Sequence, residues 1–375
     1  MSFYPICAEY GAAPLSERFA ATTEDDVRRA LGKAVLDPDD FLALISPAAT
    51  PYLEEMAQQG SQLTMQNFGR TIQLFTPLYL SNYCSNHCVY CGFNAKNDIP
   101  RSQLEPAQLE EEARTIAATG LKHLLILTGE SRGKASPDYL DSCMTVLRKY
   151  FPSVSIEIYA MEQDEYARLV DSGVDGLTIY QETYDEELYA TLHPRGPKKD
   201  FRYRLDAPER GCKAGMRVVN IGALLGLGDW RTDALITGMH AAYLQNLYPE
   251  VDVSVSLPRM RPHAGEFQPT SIVEDRDMVQ IMLALRLFLP RLGITVSTRE
   301  SGQFRENILP LGVTKMSAGV STAVGGHSQD GDKIGQFDIS DERSVDEMCT
   351  ALRKLGYQPV FKDWEPITEP SEGAA

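Results

Sequence analysis

The sequence lacks a long apolar run and a targeting signal at its N-terminus. No stretch of 18 or more consecutive apolar residues occurs, so no transmembrane helix is predicted. The opening residues, MSFYPICAEYGAAPLSERFA, contain no basic region followed by an apolar one, so no secretory signal is predicted. We therefore expect a cytoplasmic protein that does not bind a membrane.

Basic residues are scarce. The 375-residue chain has 36 Lys and Arg against 52 Asp and Glu, a formal net charge of -16. Such a surface repels a phosphate backbone, which argues against nucleic acid as a partner. The one basic stretch, HPRGPKKDFRYR, is short and is interpreted as a solvated loop near an anionic cofactor end. A small-molecule substrate is expected instead.

The cysteine count is odd, which does not predict a disulfide framework. Three of the seven cysteines, Cys84, Cys88 and Cys91, lie within the eight residues CSNHCVYC, and the other four are far away in sequence. A reducing compartment would keep these thiols available for metal.

Short β-branched or apolar runs alternate with longer segments of helical period, as in βα units around a parallel sheet. Eight such units predict a closed (β/α)8 TIM-type barrel, with its chemistry at the carboxyl ends of the strands. The predicted strands are Thr71–Tyr79, His123–Thr128, Val154–Tyr159, Gly176–Tyr180, Met216–Gly222, Val251–Ser256, Gly293–Ser297 and Val313–Ser317.

Three segments are predicted along the chain. Residues 1–70 form an N-terminal extension of two or three helices, and residues 71–322 form the barrel. Residues 323–375 form a short C-terminal extension: a Gly-rich loop, an amphipathic helix near Ser344–Leu355 and a tail. No low-complexity tract or Pro/Ser-rich linker requires a second domain.

The three crowded cysteines follow the first predicted strand. A protein that only transfers electrons normally gives a four-iron cluster four thiolates, so three thiolates leave one iron open. The spacing C-x3-C-x2-C, with the aromatic Tyr90 before the third cysteine, is typical of radical S-adenosylmethionine enzymes. In those enzymes the amino acid end of S-adenosylmethionine binds the open iron. A [4Fe-4S] cluster and S-adenosylmethionine are therefore the expected cofactors.

A structural zinc site is the alternative for the same cysteines. His87 or a distant histidine would be the fourth ligand, and the protein would be a barrel that organises a partner surface rather than an enzyme. His87 directly precedes Cys88, which makes shared coordination awkward, and no second C-x2-C or H-x3-H pair occurs.

Other strand ends carry candidate contacts for the cofactor. Thr128, Gly129 and Glu130 end the second strand in LILTGES, where the Glu130 carboxylate would meet the cofactor ammonium. Glu182, after the fourth strand, is predicted near the ribose hydroxyls. Arg204, placed early in the helix before the fifth strand, is predicted near the cofactor carboxylate. A surface salt bridge between these two residues is the alternative.

Several blocks resemble a known family, the radical tyrosine lyases called 2-iminoacetate synthases. The resemblance runs from about Asp37 to Glu365. It implies cleavage of L-tyrosine between Cα and Cβ to 2-iminoacetate (dehydroglycine) and p-cresol, for thiazole and thiamine biosynthesis. A 5'-deoxyadenosyl radical would take a hydrogen atom from the substrate amino group. The blocks are LYLSNYCSNHCVYCGF, LLILTGE, YQETY, VSLPRMRP, STRES, LPLGVTKMSAG and PVFKDWE.

The resemblance also implies partners and substrate contacts. A one-electron donor of the flavodoxin or ferredoxin type is expected, with thiazole synthase as a candidate partner. Arg299 and Ser317 match positions that hold the substrate carboxylate, for which the planar fork of Arg is well suited. A structural pairing of Arg299 with Glu300 or Glu306 is the alternative.

Related lyases remain alternatives for the reaction. The tyrosine lyase of [FeFe]-hydrogenase maturation carries three more cysteines in a C-terminal extension, whereas this chain ends in EPITEPSEGAA after Trp364 and has only Cys349 nearby. A second cluster is therefore not expected. A tryptophan lyase shares the cofactor machinery, so the reaction class is better defined than the substrate.

Overall fold

Eight parallel strands form a closed barrel in the computed structural model, which describes residues 2–328, 335–362 and 364. The barrel closes because β1 pairs with both β2 and β8. All eight predicted strands are confirmed, with bounds that differ by at most a few residues. The strands are β1 (Thr71–Ser81), β2 (His123–Thr128), β3 (Ser153–Glu157), β4 (Gly176–Thr178), β5 (Val218–Gly222), β6 (Asp252–Ser256), β7 (Gly293–Val296) and β8 (Lys315–Ser317).

The barrel interior is unusually polar. Bulky branched side chains normally fill such an interior in layers. Here small polar side chains on five of the strands line a cavity instead, because they leave space that Val, Ile or Leu would occupy. They are Ser155, Thr178, Asn220, Ser254 and Thr295. Apolar residues on the opposite face of each strand, such as Leu124, Ile156 and Ile294, pack outward against the helices.

The N-terminal extension contains more helices than predicted. Five α-helices and a 3-10 helix (Pro47–Tyr52) precede β1, rather than two or three helices. Pro14 and the capping boxes at Thr23 and Asp37 divide the segment into short helices. The helices are α1 (Tyr4–Ala12), α2 (Leu15–Ala21), α3 (Glu24–Leu31), α4 (Pro38–Ile45) and α5 (Leu53–Phe68).

The helices between the strands surround the barrel. Side chains of Ser136, Asp185, Asp229 and Ser301 cap four of them by accepting a hydrogen bond from a backbone N–H of the first turn. The helices are α6 (Pro106–Ala118), α7 (Pro137–Leu147), α8 (Gln163–Asp171), α9 (Glu186–Leu192), α10 (Phe201–Leu205), α11 (Ala207–Lys213), α12 (Trp230–Leu247), α13 (Asp275–Phe288) and α14 (Gly302–Asn307). Two short 3-10 helices span Pro197–Lys199 and Leu309–Leu311.

The C-terminal extension adds a helix and a strand. Helix α15 (Val345–Lys354), capped by Ser344, confirms the predicted amphipathic helix. It leads to β9 (Gln358–Val360), which was not predicted and which pairs in parallel with Thr71–Gln73 at the start of β1. The predicted Gly-rich loop and the predicted tail each fall partly outside the described residues.

None of the helices in the described part of the chain has the length and apolar character needed to span a membrane.

Candidate active site

The three crowded cysteines face one cavity at the carboxyl end of β1. All three are free thiols, and the cavity lies between them and the ends of the second, third and fourth strands. Five of the predicted cofactor contacts line it with the cysteines: Thr128, Gly129, Glu130, Glu182 and Arg204. The structure therefore brings together residues from positions 84 to 204 that sequence reasoning assigned to one cofactor site.

The loop that carries the cysteines is held in shape by hydrogen bonds from the Arg101 side chain. The Arg101 guanidinium donates to four backbone carbonyl oxygens of the loop, those of Asn82 (2.8 Å), Phe93 (2.9 Å), Asn94 (2.6 Å) and Asn97 (3.2 Å). Sequence reasoning missed Arg101, because an arginine ten residues beyond the last cysteine gives no signal until the loop folds back. The loop is therefore shaped by protein contacts.

The residues fit a four-iron cluster better than a zinc ion. Three thiols that line one cavity suit a cluster with one open iron. His87, the proposed fourth zinc ligand, is not one of the described residues that line the cavity. Burial raises the pKa of the Cys88 thiol to about 12, so iron must displace a proton when it binds.

The end of β2 approaches the cysteine loop closely. The Gly129 N–H donates to the Ser81 carbonyl oxygen (2.9 Å), and a side chain at Gly129 would collide with the backbone of Tyr83. The Glu130 carboxylate accepts from the Asn86 amide (2.6 Å), and the Glu130 carbonyl oxygen accepts from the Ser85 backbone N–H (2.8 Å). Glycine is therefore required at this position, and Glu130 is held beside the cysteines.

Glu182 and Arg204 form part of a buried ion-pair cluster, which corrects the alternative of a surface salt bridge. The Glu182 carboxylate lies 2.6 Å from Lys198 Nζ and 3.6 Å from Arg204 Nη2, and both side chains of the Arg204 pair are 9% exposed. Burial acts to raise the pKa of Glu182, but Lys198 and Arg204 outweigh it and lower the pKa. Arg204 lies in the last turn of the short helix α10, not early in a helix as predicted.

Tyr90 is the one predicted cofactor contact that does not line this cavity among the described residues. Its ring packs in a small apolar cluster with Leu192 and Leu227. Its hydroxyl lies 2.6 Å from His193 Nε2. His193 Nδ1 is 2.8 Å from the Tyr189 carbonyl oxygen, which can only accept, so Nδ1 carries the proton and the Tyr90 hydroxyl donates to Nε2. Tyr90 thus contributes packing and a hydrogen bond to the cysteine loop rather than a contact with the cavity.

A second cavity continues from the first into the barrel. Tyr79, Leu127, Glu157 and Tyr180 line both cavities and form the boundary between them. Arg299 and Ser317, the predicted carboxylate contacts, line the second cavity at the ends of the neighbouring strands β7 and β8. A molecule in the second cavity therefore lies next to whatever occupies the first.

Arg299 is not paired with either glutamate that would give it a purely structural role. Arg259 and Arg261 bind the Glu300 carboxylate, and Arg343 binds Glu306. The Arg299 guanidinium instead stacks 3.4 Å from the Phe337 ring centroid and donates to the Arg259 carbonyl oxygen (3.4 Å).

A hydrogen bond connects Ser317 to the segment that carries Arg299. Its hydroxyl oxygen accepts a hydrogen bond from the Thr298 backbone N–H (3.1 Å). Two predicted contacts from adjacent strands are thereby brought to one end of the cavity.

Glu157, the last residue of β3, is an acidic group that sequence reasoning missed. Burial raises the pKa of its carboxyl to about 7, against the opposing effect of Arg299. Its position at the boundary of the cavities gives it access to both. An acid within the buried strand sequence VSIEIY was the available signal, because carboxylates are seldom buried without a function.

Comparison with known proteins agrees with this geometry. Residues 78–236 match the family model described as the Radical SAM superfamily, and residues 256–358 match the Biotin and Thiamin Synthesis associated domain. The chain is 42% identical to the 2-iminoacetate synthase of Escherichia coli (strain K12) over 349 residues, 93% of each chain. The chain belongs to the 2-iminoacetate synthase family.

Solved structures of related enzymes share the fold. The crystal structure of HydG, a maturase of the [FeFe]-hydrogenase, superposes with a TM-score of 0.87 at 29% identity, over 92% of this chain and 78% of that one. Methylornithine synthase (PylB) superposes with a TM-score of 0.71 at 21% identity, over 89% of this chain and 97% of that one. The second likeness concerns the fold alone.

Membership of the 2-iminoacetate synthase family fixes the reaction class. The protein is a carbon–carbon lyase of the radical S-adenosylmethionine tyrosine-lyase type, and its cofactors are a [4Fe-4S] cluster and S-adenosylmethionine. Cys84, Cys88 and Cys91 are the thiols in the cavity that can ligate the cluster. When bound, these cofactors supply the radical chemistry, and the protein supplies binding, orientation and exclusion of water.

Proposed function

We propose that this enzyme cleaves L-tyrosine between Cα and Cβ to 2-iminoacetate and p-cresol for thiamine biosynthesis. The observation that carries the proposal is the pair of joined cavities, one lined by the three cysteines and the other by Arg299 and Ser317. A substrate in the second cavity would have its amino acid end next to the cofactor. The related 2-iminoacetate synthases support the same product.

Separate residues would hold the two charges of the amino acid. The Arg299 fork would bind the substrate carboxylate with two parallel hydrogen bonds, and the Ser317 hydroxyl would add a third. Glu157 lines both cavities at their boundary. In its ionised form it would pair with the substrate ammonium and take a proton from it, leaving the amino group neutral.

The closed barrel would protect the reaction. Apolar side chains of Pro77, Leu125, Leu127 and Leu177 line the second cavity and leave little room for water around a bound aromatic ring. Exclusion of water prevents side reactions of radicals.

An anaerobic assay of the reconstituted enzyme tests the proposal. The protein is incubated with S-adenosylmethionine, dithionite and either L-tyrosine or L-tryptophan, and the products are separated by chromatography. Release of p-cresol and glyoxylate, the hydrolysis product of 2-iminoacetate, is expected with tyrosine only. Turnover of tryptophan without turnover of tyrosine would contradict the proposal.

Cys349 on α15 is not suited to ligate a second cluster. It is buried, and burial raises the pKa of its thiol. We retain as part of the proposal a flavodoxin or ferredoxin type electron donor, thiazole synthase as a candidate partner, and a cytoplasmic location.

A further inference from the structure

A side chain of the C-terminal extension reaches the cavity that the three cysteines face. Gln336 lines this cavity, and its amide nitrogen Nε2 lies 3.6 Å from Cys91 Sγ, a hydrogen-bond distance for a sulfur acceptor. The Cys91 thiol stands in for the thiolate that would ligate iron. The structure therefore directs an N–H donor at one of the three candidate cluster ligands.

The amide of Gln336 is bound at both ends, which fixes its orientation. The Tyr79 hydroxyl donates to Gln336 Oε1 (2.8 Å), and Nε2 faces Cys91. A thiolate can only accept a hydrogen bond, so the reversed amide would place an oxygen acceptor against a sulfur acceptor. The orientation in the structure is thus the one that suits a thiolate.

Backbone contacts hold Gln336 against the cysteine loop. Its backbone N–H donates to the Thr322 carbonyl oxygen (3.1 Å), and the Thr322 hydroxyl donates to the Phe337 carbonyl oxygen (3.0 Å). On the other side, a Cβ atom at Gly92 would lie 2.5 Å from the Gln336 carbonyl oxygen, so the close approach of the two backbones requires glycine there. The donor is therefore placed by the fold and not by its contact with Cys91 alone.

A hydrogen bond to a ligand sulfur acts on the reduction potential of a cluster. That potential depends on net charge and on hydrogen bonds to the sulfurs. Reduction adds one electron to a cluster that already carries the charge of its thiolates, and the positive end of an N–H dipole interacts more favourably with the more negative state. An N–H donor at Cys91 therefore raises the potential, which makes acceptance of the electron easier.

We propose that Gln336 donates a hydrogen bond to the cluster-bound Cys91 sulfur and thereby raises the reduction potential of the cluster. One electron passes from the external donor to the cluster, and no bond to Gln336 forms or breaks. Gln336 is a positioning residue, because it acts through Cys91. This inference goes beyond the proposed function, since it concerns the cluster and holds whichever amino acid is cleaved.

A redox titration of the reconstituted enzyme tests this inference without relying on turnover. Gln336→Met removes the N–H donor and keeps a side chain of similar length. The cluster is titrated anaerobically with dithionite and mediators in the absence of S-adenosylmethionine, and the reduced form is measured by electron paramagnetic resonance. We expect the equilibrium constant for reduction to fall at least about threefold, or about 28 mV at about 59 mV per tenfold change for one electron.

Two further variants separate this effect from a structural role. Gln58→Met makes the same change on the exposed face of α5 and should leave the midpoint potential unchanged. Gln336→Glu keeps the shape of the side chain but, when ionised, has no N–H group and adds a negative charge, so the potential should fall further than in Gln336→Met. Iron and sulfide content should match the parent in all three variants. If Gln336→Met assembles no cluster, Gln336→Glu is judged by the same criterion.

Each remaining outcome has a distinct meaning. A smaller fall in potential than expected, or a rise, in a Gln336→Met enzyme with full iron content overturns this inference and leaves the proposed function standing. Loss of the cluster in both Gln336 variants shows a structural role and also overturns it. Failure of the parent to release p-cresol from tyrosine contradicts the proposed function, and the comparison of midpoint potentials still decides this inference.

Discussion

At the scale of single residues, Arg299 is a buried cation for which the described part of the chain shows no salt bridge, although the Glu157 and Glu182 carboxylates act on it electrostatically. Burial lowers the pKa of its guanidinium, yet the high intrinsic pKa of arginine keeps it charged. Stacking on Phe337 compensates part of the lost hydration. Because Glu300 and Glu306 are occupied by other arginines, the Arg299 fork is suited to an anion that arrives with the substrate.

Replacing Arg299 by lysine should therefore damage substrate use. Arg299→Lys keeps the charge but loses the fork, and we expect a loss of about 1.5–3 kcal/mol in kcat/KM for tyrosine, the range for a hydrogen bond to a charged group. Steady-state release of p-cresol measures it. Iron content and uncoupled formation of 5'-deoxyadenosine should persist, since the cofactor site is built from other strands.

A surface arginine provides the control for this substitution. Arg276 is exposed, so Arg276→Lys should behave like the parent. Parent-like tyrosine turnover by Arg299→Lys would show that the carboxylate is held elsewhere.

The sequence predicted the candidate site residues that lie at strand ends in short motifs. It missed residues whose role depends on contacts with distant parts of the chain. The cysteines, Glu130 and Arg299 follow predicted strands, and barrel topology alone brings them to one face. Burial and the Glu182 charge raise the pKa of Glu157, against the opposing effect of Arg299. Both charged residues are far from Glu157 in sequence, so no local pattern can predict the effect.

At the scale of elements, the strands were predictable because most are short apolar runs between helices with clear caps. Strand β9 was not, since its pairing depends on α15 returning the chain to β1. The N-terminal helices were undercounted because short helices separated by Pro or Asp caps look like one long periodic stretch.

The cysteine loop has no regular secondary structure, and Arg101 provides much of its rigidity. Arg101→Lys replaces a planar group that reaches four carbonyls with a single ammonium that offers three donors. We expect the loop to loosen, so that iron content after anaerobic reconstitution falls at least twofold although all three cysteines remain. Iron and sulfide analysis, with absorbance of the cluster, measures this.

Helix α6 offers a matched control, because Arg114 is exposed. Arg114→Lys should assemble the cluster like the parent. Full iron content in Arg101→Lys would mean that the cluster, rather than the arginine, organises the loop.

At the scale of the whole molecule, the barrel is closed by backbone pairing that does not involve the cluster. Eight strands form a continuous ring of hydrogen bonds, and β9 adds to β1 at the opposite end from the cysteines. Small domains that depend on a structural metal unfold when it is removed. Here a core that extends from the N-terminal helices through the barrel to α15 should be stable without iron.

Removing the cluster by anaerobic chelation should therefore abolish S-adenosylmethionine binding but preserve the fold. The far-ultraviolet circular dichroism should be unchanged, because the loop from Ser81 to Gln103 contributes neither a helix nor a further ladder strand. The midpoint of thermal unfolding should fall by about 5 °C or less, since the lost interactions amount to a small part of the unfolding enthalpy of a chain this size. Calorimetric titration of S-adenosylmethionine before and after chelation gives the binding result. Loss of helical signal together with the iron would show instead that the cluster holds the barrel together, and the three cysteines would then be as much structural as catalytic.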